Sequence, residues 1–279
     1  MSNEAAPDTS TANTGSSTKW IALAAMMFAV SMMFIDQTIV SIAIPTIQTE
    51  LGLSDAGVQW VINGYLLSLS AFFALGGRLS DILGHKKMVL LGVTIFAVSS
   101  ALCGATPASS AAEAWLIIFR IVQGIGAALL FPAALAIVVS VFPLKERGKA
   151  LALFFGITGG LTAIGPILGG YLSEWTWRAI FWVNVPVAII AIILTLIAKI
   201  HTKHKKEPLD YKGAVLIALG MGFSVLGLQQ ASSWGWGSWK TIGSIVLGLA
   251  LLVIFVKVET KVKIPLIKVE IFKDRAFFV

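Results

Sequence analysis

Eight stretches of this chain are each long and apolar enough to cross a bilayer, and that feature restricts the possible folds more than any other. They are residues 20–42, 57–77, 88–106, 114–140, 149–172, 179–199, 213–231 and 240–258. A spanning helix needs about 20 apolar residues. Lipid offers backbone N–H and C=O groups no partner, so each run is predicted to satisfy its own hydrogen bonds as an α-helix. The expected fold is all-α and integral to the membrane, with eight spans. Composition excludes the main alternatives. Of the 279 residues 57% are hydrophobic and 13% charged, whereas a soluble domain carries about 25% charged residues. As readings of the chain as a whole, a soluble enzyme, a disordered tail and a nucleic-acid-binding module are excluded on that ground. The first run is not a cleaved signal peptide: it is too long, it contains Asp36, and no small-residue cleavage site follows.

The net charge of +7 needs no nucleic acid to explain it, because Lys and Arg collect in cytoplasmic loops. Arg178 and Lys240 alone fall on one side of the eight runs, and Arg120 lies within a run. Every other basic residue falls on the side of the N-terminus, which the positive-inside rule assigns to the cytoplasm. Both ends of this chain are therefore expected to be cytoplasmic. Eight of the nine tryptophans, among them Trp60, Trp115, Trp177 and Trp236, fall near the opposite face, with Trp20 at the inner one.

The organisation follows from these runs. Residues 1–18 read as a disordered cytoplasmic tail, rich in Ser, Thr, Asn and Ala. Residues 19–199 hold six spans, 200–212 form a basic cytoplasmic linker, and 213–258 hold two further spans. Residues 259–279 are basic and end in Ala276-Phe277-Phe278-Val279, which reads as the start of another span and marks the chain as a piece of a longer protein. No enzyme is expected. Gly148-Lys149 is followed by Ala150 and preceded by Pro143 where a phosphate-binding loop needs Gly. Gly124-x-Gly126 lacks the third glycine of a dinucleotide turn. A single cysteine, Cys103, excludes an intrachain disulfide and a multi-Cys metal site. His201 and His204 lack a third ligand nearby and read as a solvated loop. No cofactor and no metal are implied, so uphill work would draw on an ion gradient or a separate subunit.

Two ionisable residues stand well inside apolar runs, Asp36 in the first and Arg120 in the fourth. Each costs about 2.5–3.5 kcal/mol at mid-helix on insertion scales. Asp36 is too short to reach the surface. Arg120, six residues into its run, could still extend to the outer interface. A carboxylate out of water that binds and releases a proton is what a proton-coupled carrier requires. Arg120, Gln123 and Ala127 share a helical face. The fifth run carries Gly156, Gly159, Gly160, Gly165, Pro166, Gly169 and Gly170. Gly156/Gly160 and Gly165/Gly169 are small-xxx-small pairs that suit close packing, a moving contact, or both. Pro166 is expected to kink the helix near its middle. In the stretch Gly77-Arg78-Leu79-Ser80-Asp81-Ile82-Leu83-Gly84-His85-Lys86-Lys87, Gly77 and Gly84 are expected to allow a tight turn, with Asp81 free to cap a helix or pair with a base.

These motifs together resemble the major facilitator superfamily. The stretch from Gly77 to Lys87 resembles its loop signature between spans two and three. The Arg120-x-x-Gln123-Gly124 run is similar to its fourth-span proton-transfer motif, and Gly156 to Gly170 to the fifth-span antiporter motif. Ile35-Asp36-Gln37-Thr38-Ile39-Val40-Ser41-Ile42-Ala43-Ile44-Pro45, and Trp175-x-Trp177-Arg178-x-x-Phe181-x-x-Asn184-x-Pro186, resemble the fourteen-span drug/proton antiporters of the EmrB/QacA branch. The resemblance implies an N-terminal six-helix bundle plus two additional helices, with the second bundle absent from this chain. It implies Asp36 and Arg120 in proton coupling, and Gly77, Asp81, Gly84 and Lys86 at an inner gate. Gly165, Pro166, Gly169 and Gly170 would form a rocking interface. Gln37, Thr38, Asn63, Tyr65 and Gln123 are candidates to line a substrate cavity. Ile82, His85 and Ser41 depart from the pattern, at positions where a basic residue, Arg and Asn are frequent. The implied function is proton-coupled export of small amphipathic, cationic compounds by alternating access. The implied location is a bacterial inner membrane, with protons, lipid and a small-molecule substrate as partners and no nucleic acid. A missing C-terminal half or a second copy would complete the cavity. A truncated, non-transporting membrane protein and a half-size carrier acting as a homodimer are the alternatives.

Overall fold

The computed structural model describes residues 16–198, 200, 208–262 and 265–266. Most of the expected tail, the His201–Lys206 run and most of 259–279 lie outside the described residues. Among the described residues ten helices make eight spans: α1 (Ser16–Leu51), α2 (Asp55–Leu83), α3 (His85–Gly104), α4 (Ala112–Val141), α5 (Leu144–Thr162) with α6 (Ile164–Trp175), α7 (Ala179–Trp182) with α8 (Asn184–Ile197), α9 (Tyr211–Trp234) and α10 (Trp239–Glu259). Each span coincides with one of the apolar runs read from the sequence. Large apolar side chains such as Ile118, Ile167, Val246 and Val253 point outward, as helices facing hydrocarbon should.

The helices begin and end where local chemistry stops them. Ser54 caps α2 through its hydroxyl on the Gly57 N–H, Asp210 caps α9, and Ser238 caps α10. Between α2 and α3 the chain reverses on one residue, Gly84, at φ 97°, a conformation that glycine adopts without a Cβ clash. Gly77, expected in the turn, lies instead inside α2, which runs on to Leu83. The fifth span breaks at Ala163, three residues before the expected kink site. Pro166 has no N–H for the carbonyl four residues back, which is that of Thr162, so the disturbance appears upstream of the ring.

Packing is closest where glycines remove side chains. A Cβ on Gly92 would lie 2.8 Å from the Gly126 carbonyl oxygen, and one on Gly126 would lie 2.8 Å from the Phe96 nitrogen, which fixes the α3–α4 seam. Gly76 and Gly124 do the same between α2 and α4. One apolar core, with Met26, Val30, Val93, Phe96, Leu130, Ile137 and Phe154, fills the half of the first six spans that holds the start of α1. A second, with Ile39, Ile47, Val61, Leu116, Trp177 and Phe181, fills the opposite half. Trp177, read from sequence as part of an interfacial belt, is 1% exposed and packs edge-on against Phe181. The α9–α10 hairpin lies against α2, where Ser233 donates to Gln59 (2.6 Å) and Asn63 to Gln230 (3.4 Å).

Candidate functional site

The two apolar cores meet at a polar layer. Asp36 is 0% exposed and Arg120 2%. Arg120 begins the third turn of α4, about 12 Å from the helix start at 1.5 Å per residue, and turns inward. Its Nη1 donates to Asp36 Oδ2 at 2.5 Å and to Gln123 Oε1 at 2.8 Å, and its Nε donates to the Val61 carbonyl of α2 at 3.0 Å. The guanidinium lies over the Tyr65 ring, 4.5 Å from its centre, where the ring face favours a cation. Asp36 Oδ1 accepts from Gln123 Nε2 (2.9 Å) and Asn184 Nδ2 (3.0 Å). Asn184 also donates to Ser100 Oγ (2.9 Å), whose hydroxyl donates to the Phe181 carbonyl (2.8 Å). The first, second, third, fourth and sixth spans are joined in one network.

The chemistry of this network is constrained. Three donors from two helices reach the Asp36 carboxylate and engage both of its oxygens. Of the roughly four lone-pair sites of a carboxylate, these donors take three, two on Oδ1 and one on Oδ2. Removing one member of a buried ion pair costs about 3–5 kcal/mol, because the other charge is left uncompensated. Snorkelling of Arg120 to the surface is excluded by its burial.

The other expected residues are dispersed. Tyr65 and Gln123 are enclosed in the network rather than facing open space. Asn63 faces α9. Gln37 is half-buried on α1. Thr38 is part-buried, and its hydroxyl reaches the Thr162 carbonyl at 3.2 Å. A cavity of about 290 Å³ between α2, α4 and α9 is bounded by Gly64, Leu67, Ala71, Ile121, Gly222 and Leu226, among others, and by none of those five.

At the α2–α3 turn Asp81 is exposed on the last turn of α2. Ser80 Oγ and His85 Nδ1 lie 2.5 Å apart across Gly84. Lys86 Nζ donates to the Leu196 carbonyl at 3.4 Å, as basic groups do at helix C-termini. Gly165 and Gly169 are buried against α1. A Cβ on Gly165 would strike Thr38 Oγ1, and one on Gly169 would lie 3.1 Å from the Ile39 carbonyl oxygen. Gly156, Gly159, Gly160 and Gly170 meet nothing within 4 Å, and Pro166 is exposed.

Sequence reasoning did not select Asn184 or Ser100. The signal at Asn184 was present: a lone amide at the head of an otherwise apolar helix must find a partner within the bundle. Ser100 carried none, since serines are common in such helices.

The Major Facilitator Superfamily profile matches residues 26–258. The chain is 39% identical over 256 residues to the uncharacterized MFS-type transporter EfpA of Mycobacterium tuberculosis, covering 91% of this chain and 47% of that protein. It is 37% identical over 258 residues to the tetracenomycin C resistance and export protein of Streptomyces glaucescens, with 91% and 47% covered. It is 32% identical over 273 residues to multidrug resistance protein 3 of Bacillus subtilis, with 97% and 52% covered. The chain thus spans about half the length of these curated relatives. Among solved structures the fold is like that of the peptide transporter POT in complex with sulfate, at a TM-score of 0.61 and 18% identity over 86% of this chain and 52% of the other. The D-xylose-proton symporter gives 0.55 and 15%, with 85% and 66% covered. A profile match over most of the length, together with eight spans of this arrangement, places the chain in the Major Facilitator Superfamily.

Proposed function

We propose that this chain forms the N-terminal portion of a proton-coupled exporter of small amphipathic, cationic compounds, working by alternating access. The observation that carries the reading is the fully buried Asp36–Arg120 pair, tied by Gln123 and Asn184 into five spans. A buried carboxylate held by donors from two other helices changes its attraction to them when it gains a proton, which links protonation to helix movement. The names of the relatives supply the direction of transport: export of tetracenomycin C in one, and multidrug resistance in another. Their greater length supports a second six-helix bundle as the other wall of the cavity. In this reading residues 19–199 are one rocking unit and the hairpin 213–258 joins it to the next. The protein sits in the inner membrane with both ends of this chain cytoplasmic. A potential of about 150 mV supplies roughly 3.5 kcal/mol per proton, at about 2.3 kcal/mol per 100 mV. That sustains a few-hundred-fold substrate gradient, on the order of tenfold per 1.36 kcal/mol.

The test is efflux from energised vesicles carrying the complete carrier, followed with a fluorescent organic cation and a pH-sensitive dye. Substrate should move against its gradient with matching proton flow, and a proton ionophore should abolish both. Transport that survives the ionophore would remove the proton-coupled reading.

A further inference from the structure

Pro166 leaves the Thr162 carbonyl without its intrahelical donor, in a membrane span where such a group needs a partner. The partner comes from another span: Thr38 Oγ1 lies 3.2 Å from Thr162 O. The same hydroxyl lies 3.1 Å from Ile35 O and 3.4 Å from Phe34 O on its own helix. A hydroxyl has one proton to donate, so these acceptors compete for it. Contact between the two elements is made possible by Gly165, where any Cβ would strike Thr38 Oγ1. Around this point the fifth span is interrupted, since Ala163 alone separates α5 from α6 and its N–H bonds back to Gly160 O at 3.1 Å.

We propose that Thr38 is a latch on the α5–α6 hinge: its single hydroxyl proton, when given to Thr162 O, holds the hinge at one angle, and when given to Ile35 O or Phe34 O, frees it. Thr38 is a positioning residue in this scheme and touches no substrate. It lies two residues beyond Asp36 on the same rigid helix. A rotation of α1 that follows opening of the Asp36 network would carry Thr38 with it, so the state of the carboxylate would be read at the hinge. That last link rests on the transport reading, whereas the latch itself does not.

The latch is tested without transport. The chain is reconstituted in lipid with spin labels on Ala152→Cys in α5 and Tyr171→Cys in α6, both exposed positions, in a Cys103→Ala background. The two sites are about 28 Å apart along the span at 1.5 Å per residue, a distance that pulsed dipolar spectroscopy resolves. Thr38→Val, which keeps the shape and removes the donor, should broaden or split the distance distribution. Thr38→Ser, which keeps the donor, should restore it. Pro166→Ala returns an N–H to Thr162 O, so Thr38→Val should have no effect in that background. Thr38→Ala replaces Thr38→Val if the latter fails to insert. An unchanged distribution in Thr38→Val, a Thr38→Ser protein that behaves like it, or a Thr38→Val effect of the same size with Pro166→Ala would each overturn the proposal.

Discussion

Asp36 and Arg120 each would be costly alone at this depth, and together they neutralise one another. Both carboxylate oxygens accept hydrogen bonds, and the guanidinium has a ring face beneath it. The energetic consequence is strong coupling. Arg120→Ala should destabilise the folded protein by about 3–5 kcal/mol, read by denaturant titration in detergent micelles. Asn184→Ala removes only one of three donors and should cost roughly 0.6–1.7 kcal/mol, as for other interhelical bonds in membranes. Adding Asp36→Asn to Arg120→Ala should recover part of the loss, because the uncompensated charge is gone. Strict additivity in that cycle would mean that the pair is not coupled. Both residues were legible in the sequence because each carries charge in an apolar run. Their partnership was not, since no local pattern relates positions 84 residues apart.

At the scale of elements, the eight spans were legible because lipid allows so few solutions to backbone hydrogen bonding. Their internal breaks were less so. Pro166 announced a kink, but the helix yields at Ala163, because the missing bond belongs to Thr162. The glycines of the fifth span read as two equivalent pairs, and the structure separates them. Gly165→Ala should lower the melting temperature, since its methyl would strike Thr38 on α1. Gly156→Ala meets nothing within 4 Å and should be neutral or stabilising by about 0.5–1 kcal/mol, the ordinary gain of Ala over Gly in a helix. Equal destabilisation by both would show that the whole glycine face is packed. Gly84→Ala, at a positive φ, should destabilise by more than the roughly 0.4–1 kcal/mol that an unstrained Gly→Ala gains.

The described residues form a bundle of six spans with a hairpin of two against α2, and the orientation can be read chemically. Cys103 is buried, so introduced cysteines would report cleanly. Ser109→Cys, between α3 and α4, should react with an impermeant maleimide in intact cells. Lys87→Cys, beside the α2–α3 turn, should react only after permeabilisation. The reverse pattern would invert the topology and contradict the positive-inside assignment. In the proposed function, Asp36 and Arg120 tie proton movement to helix movement. The most direct measurement is substrate-coupled proton flux in vesicles carrying the complete carrier, with wild type, Asp36→Asn and Arg120→Ala compared at equal amounts of inserted protein. Loss of coupled flux in both variants, with the protein still in the membrane, is the expected result. Wild-type flux in either variant would contradict it.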